Sequence, residues 1–560
     1  MSDELLRAIE WLLGPEKCAS APPDAPIEFR AQGSREDEEP RGAEGRRKPT
    51  HLWPRWIFLR ALGLIYFSAF YSFFFQVKGL LGPQGILPAG DYLRAIAASP
   101  NLHAERFWLA PTLLWFASSD RALMLLCWVG LIASLLLVVN LWPRAMLALS
   151  FVCFLSLIAA AQDFSSYQSD GMLLEAGFIS LFFAPPGFCP GLGRNRGPSR
   201  LSLFLLQWEW FRIYFESGVV KLASGDLSWR NLTAMDDYYQ NGPLPTWLGY
   251  YVQHFPHSFH ASTVILTFVI ELGIVWLLFL PRRFRIAAFS IVTPFEIGII
   301  LTANYAFLNY LVLALGFLLL DDRLIEWLLP LGFRRLLEGP QRSVEIGPAP
   351  AAWRRTLRTA RLALSGCCLG IVFYVTTLQL VWMFIPGLPL PRAPVEWLDP
   401  FRIANQYGLF AVMTHARYEI EFQGSMDGKT WTPYPFRYKP QDPKRAPGIY
   451  APYQPRFEWN LWFASLGSWQ QNKWVVWTEE RLLQNSRDVL QLFAADPFAS
   501  PPQEVRAVIY QYWFTDPETK HREGTWWRRE WLGEYAPALL RQPNGRPAVL
   551  DLPIVNPPSP

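Results

Sequence analysis

From Trp56 onward the chain alternates long apolar blocks with short polar connections. The blocks are Trp56–Val77, Ala122–Trp142, Ala145–Ala161, Gly171–Ala184, Leu201–Leu222, Thr263–Leu280, Ile286–Leu301, Ala306–Leu320 and Leu362–Ile385. A straight helical crossing of a bilayer needs about 20 apolar residues. Several blocks reach that length and the rest come near it, which predicts about nine spans. Past Pro391 the period changes: "RYEIEFQGSMDGKTWTPYPF" alternates apolar and polar positions around an Asp427-Gly428 turn and predicts a β-hairpin. "VRAVIYQYWF" predicts a further strand, and "WVVWTEERLLQNSRDVLQLF" between them has helical spacing.

The pattern divides the chain into four parts. Residues 1–54 form a cytosolic segment, in which "MSDELLRAIEWLLGPE" is a short amphipathic helix and "SREDEEPRGAEGRRKPT" is disordered. Residues 55–388 form a multi-span domain with a long loop at 223–262. Residues 389–540 form a β-rich, sandwich-like domain of common domain size, and 541–560 form a flexible tail. The expected fold is thus a polytopic α-helical membrane protein with a β-rich extracytoplasmic domain.

Charge orients it. Basic clusters stand at Arg46-Arg47-Lys48, at Arg194/Arg196/Arg200, at Arg282-Arg283/Arg285 and through 334–361. Cytoplasmic loops carry the excess of Lys and Arg. Four, two and two blocks separate successive clusters, so all can lie in the cytosol. The last block then crosses once and leaves loop 223–262 and the C-terminal domain in a lumen or periplasm.

Composition agrees. Of 560 residues 51% are hydrophobic and only 18% charged, with 26 Trp and 40 Phe, as suits lipid rather than water. A net charge of +4 is too small to indicate a nucleic-acid partner. Cys127, Cys153, Cys367 and Cys368 fall inside apolar blocks, where a thiol packs as a small hydrophobe. Cys18 and Cys189 complete the six, and no pair has metal-ligand spacing. No metal or cofactor is expected.

Ionisable residues inside the blocks are costly and face a protein interior or a watery cavity. They are Glu175, Glu209, Arg212, Glu216, Lys221, Glu271 and Glu296. Glu209, Arg212 and Glu216 share a helix face at i,i+3 and i,i+4. Two readings stand: a neutralised cluster joining spans, or an embedded catalytic or ligand site. Asp170 and Glu175 are five apart and share a face poorly. His254, His257 and His260 are three apart, but Pro256 breaks their helix. No phosphate loop, nucleophile elbow or HExxH occurs. Asn231-Leu232-Thr233 is a glycosylation sequon on the side assigned to the lumen.

The long loop, "FESGVVKLASGDLSWRNLTAMDDYYQNGPLPTWLGYYVQHFP", resembles the signature loop of the lipase maturation factor family. "SDGMLLEAGFISLFFAP", "LTANYAFLNYLVLALGFLLLDD", "YKPQDPKRAPGIYAPYQPRFEWNLWFASL", "DPFASPPQEVRAVIYQYWFT" and "WWRREWLGEYAP" are similar to further family segments in the same order. The resemblance runs from Trp56 to about Pro537. It implies a non-enzymatic membrane protein, without cofactor, that helps a secreted lipase-like client reach its active fold. It further implies an endoplasmic reticulum setting, or a plasma membrane for a bacterial member. The loop and C-terminal domain lack cysteine, unlike animal members, and this favours the bacterial case. The aromatic loop residues Trp229, Tyr238, Tyr239, Trp247, Tyr250 and Tyr251, with the turn prolines Pro243 and Pro245, are candidate client contacts. They serve equally as an interfacial belt that docks the β domain. A membrane enzyme similar to the vitamin K-dependent carboxylase group is the alternative, with Lys221, Glu216 and His254 as its groups. A lipid or sugar binder is another, because "GSMDGKTWTPY" resembles hairpins of galactose-binding-like sandwiches.

Overall fold

The computed structural model describes residues 50–330 and 352–553, apart from 101, 103, 104, 166 and 195. The expected N-terminal helix and disordered segment lie outside the described residues, as do Arg46–Lys48 and most of the basic stretch after residue 330.

Every apolar block folds as helix. They are α1 (Leu52–Leu81), α2 (Asp120–Val138), α3 (Pro143–Ile158), α4 (Gln168–Phe183), α5 (Arg200–Ala223), α6 (His257–Phe268), α7 (Arg282–Thr302), α8 (Leu308–Gly316) and α9 (Ala352–Phe384). Pro143 opens α3 at a position where its missing N–H costs nothing. Ser119 and Ser199 precede α2 and α5, with side chains turned to the first-turn N–H groups. Helix α6 runs on through a π turn at Val269–Gly273 and a 3₁₀ stretch at Ile274–Phe279.

Five of these helices are long and apolar enough to cross a membrane: Leu52–Leu81, Asp120–Val138, His257–Phe279, Arg282–Thr302 and Thr356–Phe384. The expected nine therefore stand on unequal ground. Helices α3 and α8 are apolar but short. Helix α4 has 16 residues, about 24 Å of axial rise against the about 30 Å of a hydrocarbon core. Helix α5 has 24 residues, but its charged positions break the apolar run.

The helix ends sort into two groups by their contacts. At one end Asp322 accepts from the Leu52 and Trp53 amides at 3.1 and 2.7 Å. There Arg55 donates to the carbonyls of Leu192, Gly193 and Arg196, and Arg60 donates to Leu137 O and Asn140 Oδ1. Arg282 pairs with Asp321 at the same end. At the other end the loops 82–88, 159–167, 224–256 and 303–307 meet the C-terminal domain. Arg481 donates to Gly85 O at 2.9 Å, Arg402 to Ser165 O at 2.7 Å and Asn304 to Gly448 O at 2.9 Å.

The C-terminal domain is one antiparallel sheet. Its strands are β1 (Arg417–Ser425), β2 (Trp431–Pro433), β3 (Glu504–Phe514), β4 (Trp527–Glu534), β5 (Ala538–Arg541) and β6 (Pro547–Asp551). The order is β2-β1-β3-β5-β6, with β4 also on β3. The expected hairpin is β1–β2, turning at Gly428 with φ 69°. Two expectations are corrected. No second sheet occurs among the described residues: helices α10 (Arg456–Ser465) and α11 (Trp474–Leu483) cover the sheet instead. Phe457, Leu461, Val475 and Leu482 share one core with Ile420, Phe422, Ala507 and Ile509, so two amphipathic helices fill the layer assigned to another sheet. The segment read as a flexible tail also contributes β6, paired to β5 through Leu540↔Ala548 and Arg541↔Pro547.

Helix α11 buries Glu479 completely. Burial pushes its carboxyl well above the ordinary carboxylate range, and the Ala507 backbone offsets this only in part. In the unfolded chain Glu479 ionises near pH 4.5, whereas in the folded domain it holds its proton to higher pH. The folded state binds the extra proton between those two values, so stability falls as pH rises through that window. Glu479→Gln is expected to raise the melting temperature at neutral pH and to flatten its fall above about pH 4.5. Thermal melts at a series of pH values check this; a variant no more stable than the parent at pH 7 refutes it.

Candidate functional site

The loop and the C-terminal domain meet along a seam that uses most of the aromatic residues singled out in the sequence. Trp229, Tyr238, Tyr239, Pro243, Pro245 and Tyr250 are buried; only Trp247 and Tyr251 are exposed, at 43% and 44%. The Trp229 indole donates to Phe410 O at 3.1 Å. The Tyr238 ring lies 5.8 Å from that of Phe410, which also meets Tyr305 at 5.0 Å. Tyr250 packs edge-on to Phe514 and Trp526 at 5.0 and 4.9 Å. The turn prolines act through the backbone: Arg417 donates to Pro243 O at 3.0 Å, and Pro245 pairs with Ala303. The aromatic shelf is thus mostly a seat for the C-terminal domain.

The polar cluster lies beneath that seat. Glu175, Glu209, Arg212 and Glu216 are each at most 1% exposed. Arg212 does not stop at its own helix face; it forms an ion pair with Glu175 of α4, stands 4.0 Å from Glu216, and donates to Asn405 O at 2.6 Å. Glu175 accepts from the Asn405 amide at 2.9 Å and from the Tyr407 hydroxyl at 2.9 Å. Glu216 accepts from the Tyr407 amide at 2.6 Å, and Ser217 Oγ from the Leu409 amide at 3.2 Å. The embedded charges therefore grip residues 405–409, the connection between α9 and β1. A chain entering an apolar bundle must find partners for its amides, and these side chains supply them.

A second joint was not legible as a pair. Arg456 of α10 donates to both carboxylate oxygens of Asp170 of α4, at 2.7 and 2.8 Å, and both side chains are fully buried. Its guanidinium lies 4.1 Å from the Phe73 ring centre, a cation–π contact onto α1. Gln76 of α1 accepts from the Phe457 amide at 3.2 Å and donates to Gln454 O at 3.0 Å. Close approach has a further mark at Gly79, where a Cβ would sit 2.5 Å from the Asp488 carbonyl oxygen. Only glycine lets α1 pass there. Asp170 stood out in the sequence, but Arg456 lies 286 positions away and no local pattern joins them. Asn405 and Tyr407 carried no signal in a connection of ordinary polarity.

The remaining candidates are dispersed. Lys221 donates to both oxygens of Glu271 at 2.8 and 2.9 Å and stands 5.2 Å from the Trp229 ring centre. Glu271 lies in the π turn of α6. Glu296 accepts from the Tyr214 hydroxyl at 2.5 Å and from Asn309 at 2.6 Å. His254 bonds to the Tyr250 and Thr515 carbonyls, His257 pairs with Asp236 at 3.0 Å, and His260 is buried beside the Tyr239 ring. The three imidazoles do not converge, and among the described residues no group of three His, Cys, Asp or Glu could hold a metal.

This is the architecture of a membrane protein whose C-terminal domain is keyed into a helical bundle by buried ion pairs and an aromatic seat. The chain matches the lipase maturation factor transmembrane domain over residues 53–327 and the lipase maturation factor C-terminal domain over residues 403–537. It is 32% identical to lipase maturation factor 1 of Bos taurus, covering 90% of this chain and 92% of that protein. It is 31% identical to lipase maturation factor 1 of Homo sapiens, over 89% and 90% of the two chains. It is 30% identical to lipase maturation factor 2 of Homo sapiens, over 87% and 82%. The chain belongs to the lipase maturation factor family. No solved structure matches it.

Proposed function

We propose that this protein assists the folding or assembly of secreted lipases or related client proteins, without catalysing a reaction itself. The observation that carries this reading is the match along nearly the whole chain, both domains included, to proteins named for lipase maturation. The groups an enzyme would use are engaged elsewhere: Lys221 by Glu271, and Glu216 by the Tyr407 amide.

In this reading the chain crosses the membrane nine times. The arginine-rich end with Arg55, Arg60 and Arg282 faces the cytosol, and the C-terminal domain faces the lumen or periplasm. The two-ended sorting of the helix contacts supports this parity. The membrane is that of the endoplasmic reticulum, or the plasma membrane if the source is bacterial. Client contact falls to Trp247 and to the exposed edge of Tyr251, whose hydroxyl accepts from Lys520 at 2.6 Å, since the other six aromatic and proline candidates are buried. Exposed aromatics of this kind dominate protein interfaces.

Deletion in the native host, followed by activity and abundance measurements on secreted hydrolases, tests the function. Lipase activity per molecule is expected to fall while abundance persists. Complementation with a Trp247→Ala/Tyr251→Ala double variant is expected to restore membrane insertion but not lipase activity. Undiminished activity after deletion rejects the function; full rescue by the double variant rejects only the contact surface.

A further inference from the structure

Two short helices outside the seam carry exposed apolar side chains side by side. The first, Arg106–Leu109, lies between α1 and α2; the second, Ala393–Leu398, follows α9. The first meets the 3₁₀ turn Asp399–Phe401 that follows the second, where the Trp108 ring packs edge-on against Phe401, 4.8 Å between centres. Along these two segments Phe107 is 55% exposed, Phe116 86% and Trp397 63%. Side chains of this size left bare in one place mark a surface with an unseen occupant.

We infer that this patch lies in the headgroup boundary of the bilayer leaflet on the side of the C-terminal domain, so that its partner is a lipid surface. Position argues for this first. Thr112 donates to Ser156 O at 2.8 Å and the Leu113 amide to Ser156 Oγ at 3.1 Å, which fixes the first segment to the closing turns of α3. Phe116 comes just before α2, one of the helices long and apolar enough to cross. The second segment is tied back to the end of α9, where the Trp382 indole donates to Leu388 O at 3.2 Å and Arg392 lies over that ring at 5.5 Å. Both segments therefore sit at the level where spanning helices leave the hydrocarbon.

Chemistry argues the same way. Trp and Phe with nearby arginines are the residues of interfacial segments: the rings enter the acyl boundary while the cations stay among the headgroups. Arg106 lies over Phe107 at 4.7 Å and over Trp115 at 5.8 Å, a cation set against the rings of the patch. The patch would prop the C-terminal domain on the membrane on the side away from Trp247 and Tyr251 in sequence and contact.

The test uses the unaltered full chain in nanodiscs of phosphatidylcholine doped with a phospholipid bearing a diazirine at the glycerol end of one acyl chain. After irradiation, adducts are mapped by proteolysis and mass spectrometry. Peptides covering 106–116 and 390–401 are expected to label several-fold more than 526–534, which carries the exposed Trp531 of the sheet. Labelling of both at the level of 526–534, while α2 labels strongly, overturns the inference. The same result would arise if a second copy of the chain covered the patch.

Discussion

Replacing Arg456 by Met is expected to cost about 3–5 kcal/mol, the usual penalty for stranding one member of a buried pair. Asp170 would keep its place in α4 with no cation in reach, at a site where both partners are fully buried. The loss is not confined to that bond. Arg456 also donates to Phe164 O at 2.9 Å and lies against the Phe73 ring, so one side chain joins α10 to α1, α4 and the connection before α4. The variant should still insert, because α1 and α4 keep their apolar faces. Its C-terminal domain should detach more readily, seen as protease cleavage in residues 385–403 and as an early transition in thermal melts. Asp170→Asn in the same chain should recover part of the loss, since it removes the stranded charge, and the double-mutant cycle should show strong coupling. Cleavage and melting identical to the parent's would mean that the pair does not hold the domain.

The helices of the apolar blocks and the hairpin were legible because each rests on a local pattern. An apolar block of span length, or alternation around Asp427-Gly428, is readable within a few turns of chain. Helix α11 was readable for the same reason. The architecture of the C-terminal domain was not, since helical spacing says that a helix forms but not which face of a sheet it covers; α10 and α11 took the place given to a second sheet. Strand β6 was missed because "PAVLD" is short and followed by proline, and its pairing with β5 decides its conformation. The aromatic loop shows the limit most plainly. Trp229 and Tyr238 are suited by chemistry to either a client or a neighbouring domain, and only the position of Phe410, far along the chain, settles that they face inward. The embedded charges were found by their cost in lipid, but their partners Asn405 and Tyr407 were not.

The grip on Asn405 and Tyr407 gives the other large effect. Arg212→Met is expected to lower stability by about 3–5 kcal/mol and to free residues 403–410 from the bundle. Arg212→Lys should fail almost as badly. The guanidinium reaches Glu175 with one nitrogen and Asn405 O with another at 2.6 Å, and lies 5.1 Å from the Tyr407 ring centre; a single ammonium cannot hold all three. Glu216→Gln should be milder, because an amide oxygen still accepts from the Tyr407 amide. Hydrogen exchange at 403–410 distinguishes these cases: fast in both Arg212 variants, slow in Glu216→Gln. If exchange there stays slow in Arg212→Met, the cluster does not anchor the connection, and the case for a ligand or catalytic role for these carboxylates reopens. The order of effects matters more than any one of them. A cluster built to hold a chain should tolerate loss of a redundant acceptor and fail on loss of its one fork, whereas a cluster built for proton transfer should be most sensitive at the carboxylates.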